Sequence, residues 1–198
     1  GFTSFDTEIT FEAWFQVDTL SPDGGTLLSR VAAPPMQPTF ETWDLRIDGG
    51  TGRLRFAIAG FEIVGTTNVN DGEFHHVRAT VHAQSELQLI VDGNLDASMS
   101  VTLPSDGVQP SNLDDPLIGA DSITLDERFD GLIDEVRIWN VGADGLPSRF
   151  EALTGDEAGL VAYYDFNNSQ IVDLSENGNN DTFPIEITFA DSLATPVT

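Results

Sequence analysis

The sequence predicts an all-β fold in which two antiparallel sheets pack as a sandwich or jelly roll, with one short helix. Apolar and polar residues alternate over short segments, turn-forming residues separate these segments at regular spacing, and helical periodicity is nearly absent. Alternation with a period of two buries one face of each strand. About a dozen short strands of this kind are typical of antiparallel sandwiches.

The first strand shows this alternation most clearly. One face of residues 9–17 is apolar, whereas the other is mostly polar around Trp14. The apolar face carries Ile9, Phe11, Ala13, Phe15 and Val17. Further strands are predicted at residues 26–31, 42–47, 53–59, 61–64, 74–83, 86–91, 95–103, 117–119, 129–139, 160–166 and 185–189.

Turn chemistry separates these strands. Asp92 and Gly93 lie between two alternating segments, and such a pair accommodates the positive φ angles of a tight primed turn. Residues 48–52 predict a second turn, and only residues 143–153 are typical of a helix, with Asp144 as the N-cap. The chain shows no repeat or linker, so we expect residues 1–198 to form a single domain.

The charge balance excludes several classes of function. The chain has 33 acidic residues, 8 basic residues and a net charge of -25. The basic residues are scattered arginines, so we expect no nucleic-acid partner and no binding to anionic membranes. Aspartate exceeds glutamate, and aspartate favours turns and cation ligation. This excess predicts a saline, calcium-bearing exterior such as seawater, although solubility alone would also explain it.

Cysteine and long apolar segments are both missing from the sequence. Without cysteine, a disulfide framework, a thiolate zinc site and a cysteine nucleophile are excluded. No apolar run approaches the roughly 20 residues that a membrane-spanning helix needs. The chain starts at Gly1 rather than Met, which predicts a processed protein or a part of a larger one with further domains.

Six segments carry a resemblance to a known family, and they occur in the family's order along nearly the whole chain. They are ITFEAW (9–14), DGEFHHV (71–77), LIVDG (89–93), FDGLIDEVRIWN (129–140), GLVAYYDF (159–166) and DLSENGNND (173–181). With these segments the chain resembles the laminin-G-like and pentraxin-like branch of the concanavalin A-like sandwich proteins. It differs at Phe74, where the family usually has a Trp.

The resemblance, together with the excess of aspartate in the loops, predicts a non-catalytic binding module of a secreted or cell-surface protein, such as a marine bacterial adhesin. Its partner would be a glycan or another surface ligand, and binding would depend on Ca²⁺. Two alternatives remain open at this stage, because this fold carries many functions. One is a structural spacer of a large acidic adhesin, and the other is an enzyme that acts on polysaccharides.

Two acidic loops are candidate calcium sites, because Ca²⁺ takes several oxygen ligands that converge from loops. The first loop offers alternating oxygens at Asp173, Asn177, Asn179 and Asp181. Turn-forming Asn and Gly residues would give the same pattern without a metal. The second site comes from the resemblance, since pentraxin-like relatives bind calcium at the rim. It implies ligation by Glu41, Asp121 and Asp130.

Aromatic residues on loops and outward strand faces are candidate sugar contacts, because sugar rings stack their C–H faces on aromatic side chains. The candidate ligand-binding residues are Phe40, Trp43, Phe61 and His76. The proline-rich segment 32–40 predicts either a stiff recognition loop or a cover for a sheet edge. Trp14 and Trp139 are expected to be packing residues.

No catalytic residue is predicted. Alternation places His75 and Asp134 toward the core, where we expect them to satisfy one another as a structural pair. His76 and His82 fall on the opposite face and are expected to be solvated. Glycoside hydrolysis needs two nearby carboxylates, and the Glu-x-Asp-x-Glu strand of hydrolases on this fold does not occur in the chain.

Overall fold

The computed structural model describes residues 8–30, 43–103, 116–120, 128–167 and 170–180. Within these ranges the chain forms eleven strands and no α-helix. The strands are β1 (Ile9–Gln16), β2 (Gly25–Arg30), β3 (Trp43–Ile47), β4 (Arg53–Ile58), β5 (Phe61–Asn68), β6 (Phe74–His82), β7 (Glu86–Val91), β8 (Asn94–Ser100), β9 (Leu117–Ile118), β10 (Leu132–Trp139) and β11 (Leu160–Tyr164).

The strands form two antiparallel sheets. The six-stranded sheet has the order β11-β10-β1-β6-β7-β8, and the five-stranded sheet has the order β5-β4-β3-β2-β9. Strand β1, which shows the alternation most clearly in the sequence, lies between β10 and β6 and is central in its sheet. The strands β6, β7 and β8 follow one another as hairpins beside it.

The hydrophobic core lies between the inner faces of the two sheets. Phe11 of β1 reaches across to the other sheet, where its ring centroid is 4.3 Å from that of Trp43 and 5.9 Å from that of Phe56. The alternating residues of β6 and β7 join the same buried cluster. The predicted two-sheet antiparallel sandwich is therefore confirmed.

Both predicted turns occur. Asp92 and Gly93 have φ angles of 52° and 85°, as a primed two-residue turn requires, and they join β7 to β8. At residues 48–52, the N–H of Gly52 donates to the carbonyl of Asp48 over 2.8 Å. The strand predicted at 61–64 extends to Asn68, and the strand predicted at 185–189 lies outside the described residues.

The helix predicted at 143–153 is wrong. These residues form turns and irregular backbone instead. Gly145 has a φ of 80°, which lies outside the right-handed helical region. Pro147 lacks a backbone N–H and disfavours a helical conformation at the preceding residue. In the part of the chain that the structure describes, no helix is long and apolar enough to cross a membrane.

A β-bulge changes which side chains of β10 face the core. Glu12 pairs with Arg137 and Trp14 pairs with Asp134, so β10 has one more residue than β1 between these two pairs. Glu135 takes a φ of 52° at this point. The bulge ends the simple alternation along β10, so the face of its first residues cannot be inferred from Val136 and Ile138.

Candidate functional site

Residues 140–159, which we call the covering segment, lie over the outer face of the six-stranded sheet. Three buried side chains of that face, Trp139, Leu160 and Tyr163, form a second apolar cluster separate from the main core. Partly buried residues of the covering segment pack against this cluster, namely Val141, Leu146 and Leu153. This face is therefore shielded by chain rather than open to solvent.

A buried carboxylate lies beneath the covering segment. Glu12 is 0% exposed, and its Oε1 accepts a hydrogen bond from Nε of Arg78 over 2.7 Å and lies 2.6 Å from Nη2 of the same ion-pair partner. Its Oε2 accepts a hydrogen bond from Nε1 of Trp139 over 2.8 Å. Both oxygens therefore have donors, which is the condition under which a buried charge is tolerated.

A second buried ion pair fastens the covering segment to β10. Arg137 is 1% exposed and donates from Nη2 to Oε2 of Glu135 over 2.9 Å. The same guanidinium donates to the carbonyls of Ser148 (3.3 Å) and Glu151 (2.7 Å). Burial, followed by the charge of Glu135, raises the pKa of Tyr163 well above its ordinary value, so its hydroxyl stays protonated and donates to that carboxylate.

A cavity of about 280 Å³ opens where the covering segment meets the sheet. Its volume is close to the lower end of small-molecule sites, about 300 Å³, so it is large enough for a single small ring. Its walls come from β6, from β7 and from the covering segment. They include His76, Arg78, Ile90, Leu146, Arg149 and Phe150.

Arg149 stands out among the residues that line the cavity. Its guanidinium carbon lies 4.6 Å from the ring centroid of Phe150 and 6.0 Å from that of Trp14. The backbone of Arg149 is fixed as well, because its carbonyl accepts a hydrogen bond from Nε1 of Trp14 over 3.1 Å. Within the described ranges, Arg149 pairs with no carboxylate, and its buried Nε has no hydrogen-bond partner. The cavity thus contains a cation that is held against aromatic rings and that no carboxylate among the described residues neutralises.

The β7–β8 turn supports this arginine. A Cβ atom at Gly93 would collide with Nη1 of Arg149, so the guanidinium lies directly against the glycine. The turn itself is fixed by Asp92, whose Oδ1 accepts the backbone N–H of His76 over 2.8 Å. The other oxygen, Oδ2, lies 2.8 Å from Nδ1 of His75. The position of Arg149 therefore depends on a turn that needs glycine.

His76 supplies a neutral ring to the cavity. Burial, followed by the charges of three arginines, lowers its pKa well below the ordinary 6.5. Its ring meets that of Trp14 edge to face, with centroids 5.1 Å apart. His76 is on the outward face as predicted, but it is only 3% exposed. The prediction that it is solvated is wrong, because the covering segment shields this face.

The sequence-predicted ligand residues do not come together. Trp43 is 1% exposed and packs in the core with Phe11, so its predicted position on an outward face is wrong. Its parity along β3 matches that of the buried Leu45 and Ile47. Phe61 is half-buried against the core in the five-stranded sheet, away from the sheet that carries His76. Phe40 lies outside the described residues.

The loop at residues 173–180 has a structural role. Oδ1 of Asp173 accepts the N–H groups of Tyr163 and Ser175, and Oδ2 accepts the Ser175 hydroxyl and the Asn179 N–H. These four donors occupy the lone pairs that a metal would use. Nδ2 of both Asn177 and Asn179 donates to the carbonyl of Val161. Asp173 and the Nδ2 groups of Asn177 and Asn179 therefore fasten this loop to β11, and calcium binding by the loop stays a prediction.

The other four predicted metal ligands do not lie in the described part of this loop. Asp130 is exposed near the start of β10. Glu41, Asp121 and Asp181 lie outside the residues that the structure describes. No group of three or more Asp, Glu or His side chains within the described ranges is arranged to hold a metal ion. Calcium binding at the rim therefore stays a prediction.

The predicted pair of His75 and Asp134 is wrong. His75 contacts Asp92 through Nδ1 (2.8 Å) and Asp71 through Nε2 (3.1 Å). Asp134 instead accepts the N–H of Glu135, because the bulge on β10 changes its position. Burial lowers the pKa of His75, but the hydrogen bonds and charges of the two aspartates outweigh this effect and raise it above 6.5.

The outer face of the five-stranded sheet differs from the cavity. Arg46 lies 3.2 Å from a carboxylate oxygen of Asp44, and Arg55 contacts Asp48 (3.2 Å) and Glu62 (3.0 Å). All of these side chains are partly exposed, and each of the two arginines has at least one acidic neighbour. Arg53 on the same sheet is exposed to solvent, whereas Arg149 lies against aromatic rings in a cavity.

The two packed antiparallel sheets define the class of protein as an all-β sandwich, and the cavity lies on the outer face of one sheet. A sequence profile of the concanavalin A-like lectin/glucanases superfamily, of the laminin G type, matches residues 2–143. The chain therefore belongs to this laminin G-like family. A search of curated proteins finds no significant match.

Similar folds occur among solved structures. A Bacteroides ovatus protein described as carbohydrate binding has a TM-score of 0.64 and 24% identity, with 85% of this chain and 49% of that chain covered. The CBM40 of a Ruminococcus gnavus IT-sialidase, bound to α2,3 sialyllactose, has a TM-score of 0.57 and 11% identity, with coverage of 70% and 78%. The chain spans about half the length of the Bacteroides protein. At these identities the likeness concerns the fold.

Arg149 and Phe150 are the site residues that sequence reasoning missed. They lie in an irregular segment, and no motif marks them. An arginine followed by Phe does not single them out either, because Arg55-Phe56 and Arg128-Phe129 show the same pair.

Proposed function

We propose that this chain is a non-catalytic carbohydrate-binding module and that the cavity beneath the covering segment holds a sugar. The observation that supports the proposal is the composition of the cavity walls. Phe150 is 44% exposed and offers an aromatic face, while Arg78, Arg149 and neutral His76 offer polar N–H groups. Sugar sites combine an apolar stacking surface with a few fixed polar groups.

The acidic groups near the cavity support binding rather than hydrolysis. Among the described residues, the walls include no carboxylate. Glu12 lies behind Arg78 and is fully buried, with both oxygens occupied by donors. Glycosidases need two carboxyl groups that flank the bond to be cleaved. The described residues around this cavity can contact a sugar, but they do not include two carboxyl groups that could flank a glycosidic bond.

Three finer parts of the proposal rest on the sequence. They are calcium dependence at the rim, location at the cell surface or in the secreted fraction, and membership of a larger adhesin. The similar structures support only the carbohydrate part, because one is described as carbohydrate binding and another contains a bound glycan. Calcium dependence is kept as a separate arm of the experiment, so its failure leaves the cavity proposal intact.

A glycan array with the wild-type chain, followed by calorimetry on the best ligand, tests the proposal. Phe150→Ala should weaken binding at least about fivefold, since stacking on a ring is worth roughly 1 kcal/mol or more. Leu174→Ala is the matched control, because Leu174 is 42% exposed in the loop beside β11. Equal affinity of Phe150→Ala and wild type, or no glycan bound at all, would contradict the proposal. Repeating the titration with a chelator then reports on calcium.

A further inference from the structure

The cavity has a local charge opposite to that of the whole chain. Two of the three arginines on this covered face have a buried carboxylate partner: Arg78 with Glu12 and Arg137 with Glu135. Arg149 has no such partner among the described residues, so the face retains one positive charge. In a chain of net charge -25, most cations lie near an anion by chance alone. An arginine that has no acidic partner among the described residues is therefore a candidate for binding an anion from outside the chain.

Several contacts hold Arg149 in place and leave part of its guanidinium accessible from the cavity. Phe150 and Trp14 present ring faces to the group, and Gly93 lies against Nη1. The backbone carbonyl of Arg149 accepts a hydrogen bond from Nε1 of Trp14. Ring faces and a glycine leave the guanidinium's hydrogen-bonding capacity largely unused. A fixed guanidinium with free N–H groups is the usual receptor for a carboxylate or a sulfate.

The other walls favour an anion that is attached to a ring. Ile90, Leu146 and Phe150 make one part of the cavity apolar. A free inorganic anion would gain nothing from these walls, whereas a sugar ring would bury its C–H face against them. Neutral His76 adds no second positive charge, so the site suits one oxyanion rather than several.

We propose that the cavity selects sugars that carry an oxyanion, either a carboxylate or a sulfate ester, and that Arg149 binds it. This inference rests on the proposed carbohydrate function and specifies its ligand class. The net charge of -25 opposes the approach of such a ligand, but screening confines this repulsion to about 8 Å at physiological ionic strength. The contact with Arg149 is short-range and persists under these conditions.

Matched methyl glycosides test the inference by NMR titration. The probes are a glucoside with CH₂OH, carboxylate or 6-sulfate at C6, and the same three forms of the galactoside. We expect at least one acidic form to bind wild type about tenfold or more tightly than its neutral form, the size expected for a charge-assisted hydrogen bond. The carboxylate and sulfate arms show which oxyanion is preferred.

Arg149→Gln should abolish this preference, bringing the acidic and neutral affinities within about threefold, a difference below one charge-assisted hydrogen bond. Arg149→Lys should keep part of the preference, because the charge remains. Arg53→Gln is the control, since it changes the net charge by the same amount at an exposed position on β4. Thermal unfolding verifies that each variant is folded.

The outcomes separate the two proposals. Glycan binding that depends on Phe150 but does not discriminate acidic from neutral forms would overturn the role of Arg149 and leave the carbohydrate function standing. An acidic preference that Arg53→Gln reduces as much as Arg149→Gln would also overturn it, because the effect would then come from net charge. Failure of wild type to bind any of the six glycosides would count against the inference, while the array result decides the broader function.

Discussion

The outer faces of the two sheets differ in how they hold their arginines. On the five-stranded sheet, Arg55 lies between Asp48 and Glu62 in a partly exposed position. On the six-stranded sheet, Arg137 is buried with Glu135 under the covering segment. Exposed pairs contribute little to stability, whereas a buried pair becomes costly when one partner is removed. The comparison indicates that burial by the covering segment makes the charges on the six-stranded sheet more important for stability than those on the five-stranded sheet.

The largest expected effect separates these two faces. Arg137→Met should lower the free energy of unfolding by about 3–5 kcal/mol, because it leaves Glu135 buried without its cation. Arg55→Met should lower it by less than about 1 kcal/mol, since both carboxylates beside it are partly exposed. Urea unfolding monitored by tryptophan fluorescence measures both values. Similar losses in the two variants would show that the covering segment does not isolate the Arg137 pair from water.

A smaller effect distinguishes the turn beside the cavity from a turn elsewhere. Gly93 and Gly60 have φ angles of 85° and 81°, so an alanine at either position should cost about 1–2 kcal/mol. A Cβ at Gly60 meets no atom within 4 Å, whereas one at Gly93 displaces Arg149. Only Gly93→Ala should therefore weaken binding of the acidic glycoside. If calorimetry shows equal affinity for both variants, Arg149 does not depend on the turn.

The smallest effect concerns two neighbouring histidines that face opposite sides of β6. The pKa of His75 is raised, so its stabilising contribution is complete below pH 6.5 and is lost as the pH rises through the raised value. The pKa of His76 is lowered, so its contribution is complete above pH 6.5 and decreases as the pH falls toward the lowered value.

These two shifts predict pH dependences of opposite sign. The stability difference between wild type and His75→Gln should be larger at pH 5.5 than at pH 8.5. For His76→Gln it should be larger at pH 8.5. Urea unfolding at both pH values measures the differences, and the same sign for both histidines would mean that the covering segment does not exclude water from His76.

The sequence predicted the fold well where local chemistry determines the structure. The alternation of β1 and the positive φ angles at Asp92 and Gly93 follow from side-chain periodicity and turn sterics. The predictions from sequence were wrong where contacts with a distant segment or an irregular strand pairing determine the position of a side chain. His76 is buried by residues more than sixty positions away, and Asp134 is displaced by a bulge that no turn residue marks. The cavity residues Arg149 and Phe150 likewise acquire their role only when the covering segment docks.

The covering segment is attached to the sheet mainly through its own backbone. Arg137 binds the carbonyls of Ser148 and Glu151, and Trp14 binds the carbonyl of Arg149. A carbonyl is present whatever the side chain, so substitutions at these positions preserve the attachment. The side chains that line the cavity can therefore change while the segment stays attached to the sheet, so this part of the molecule tolerates variation that the core does not.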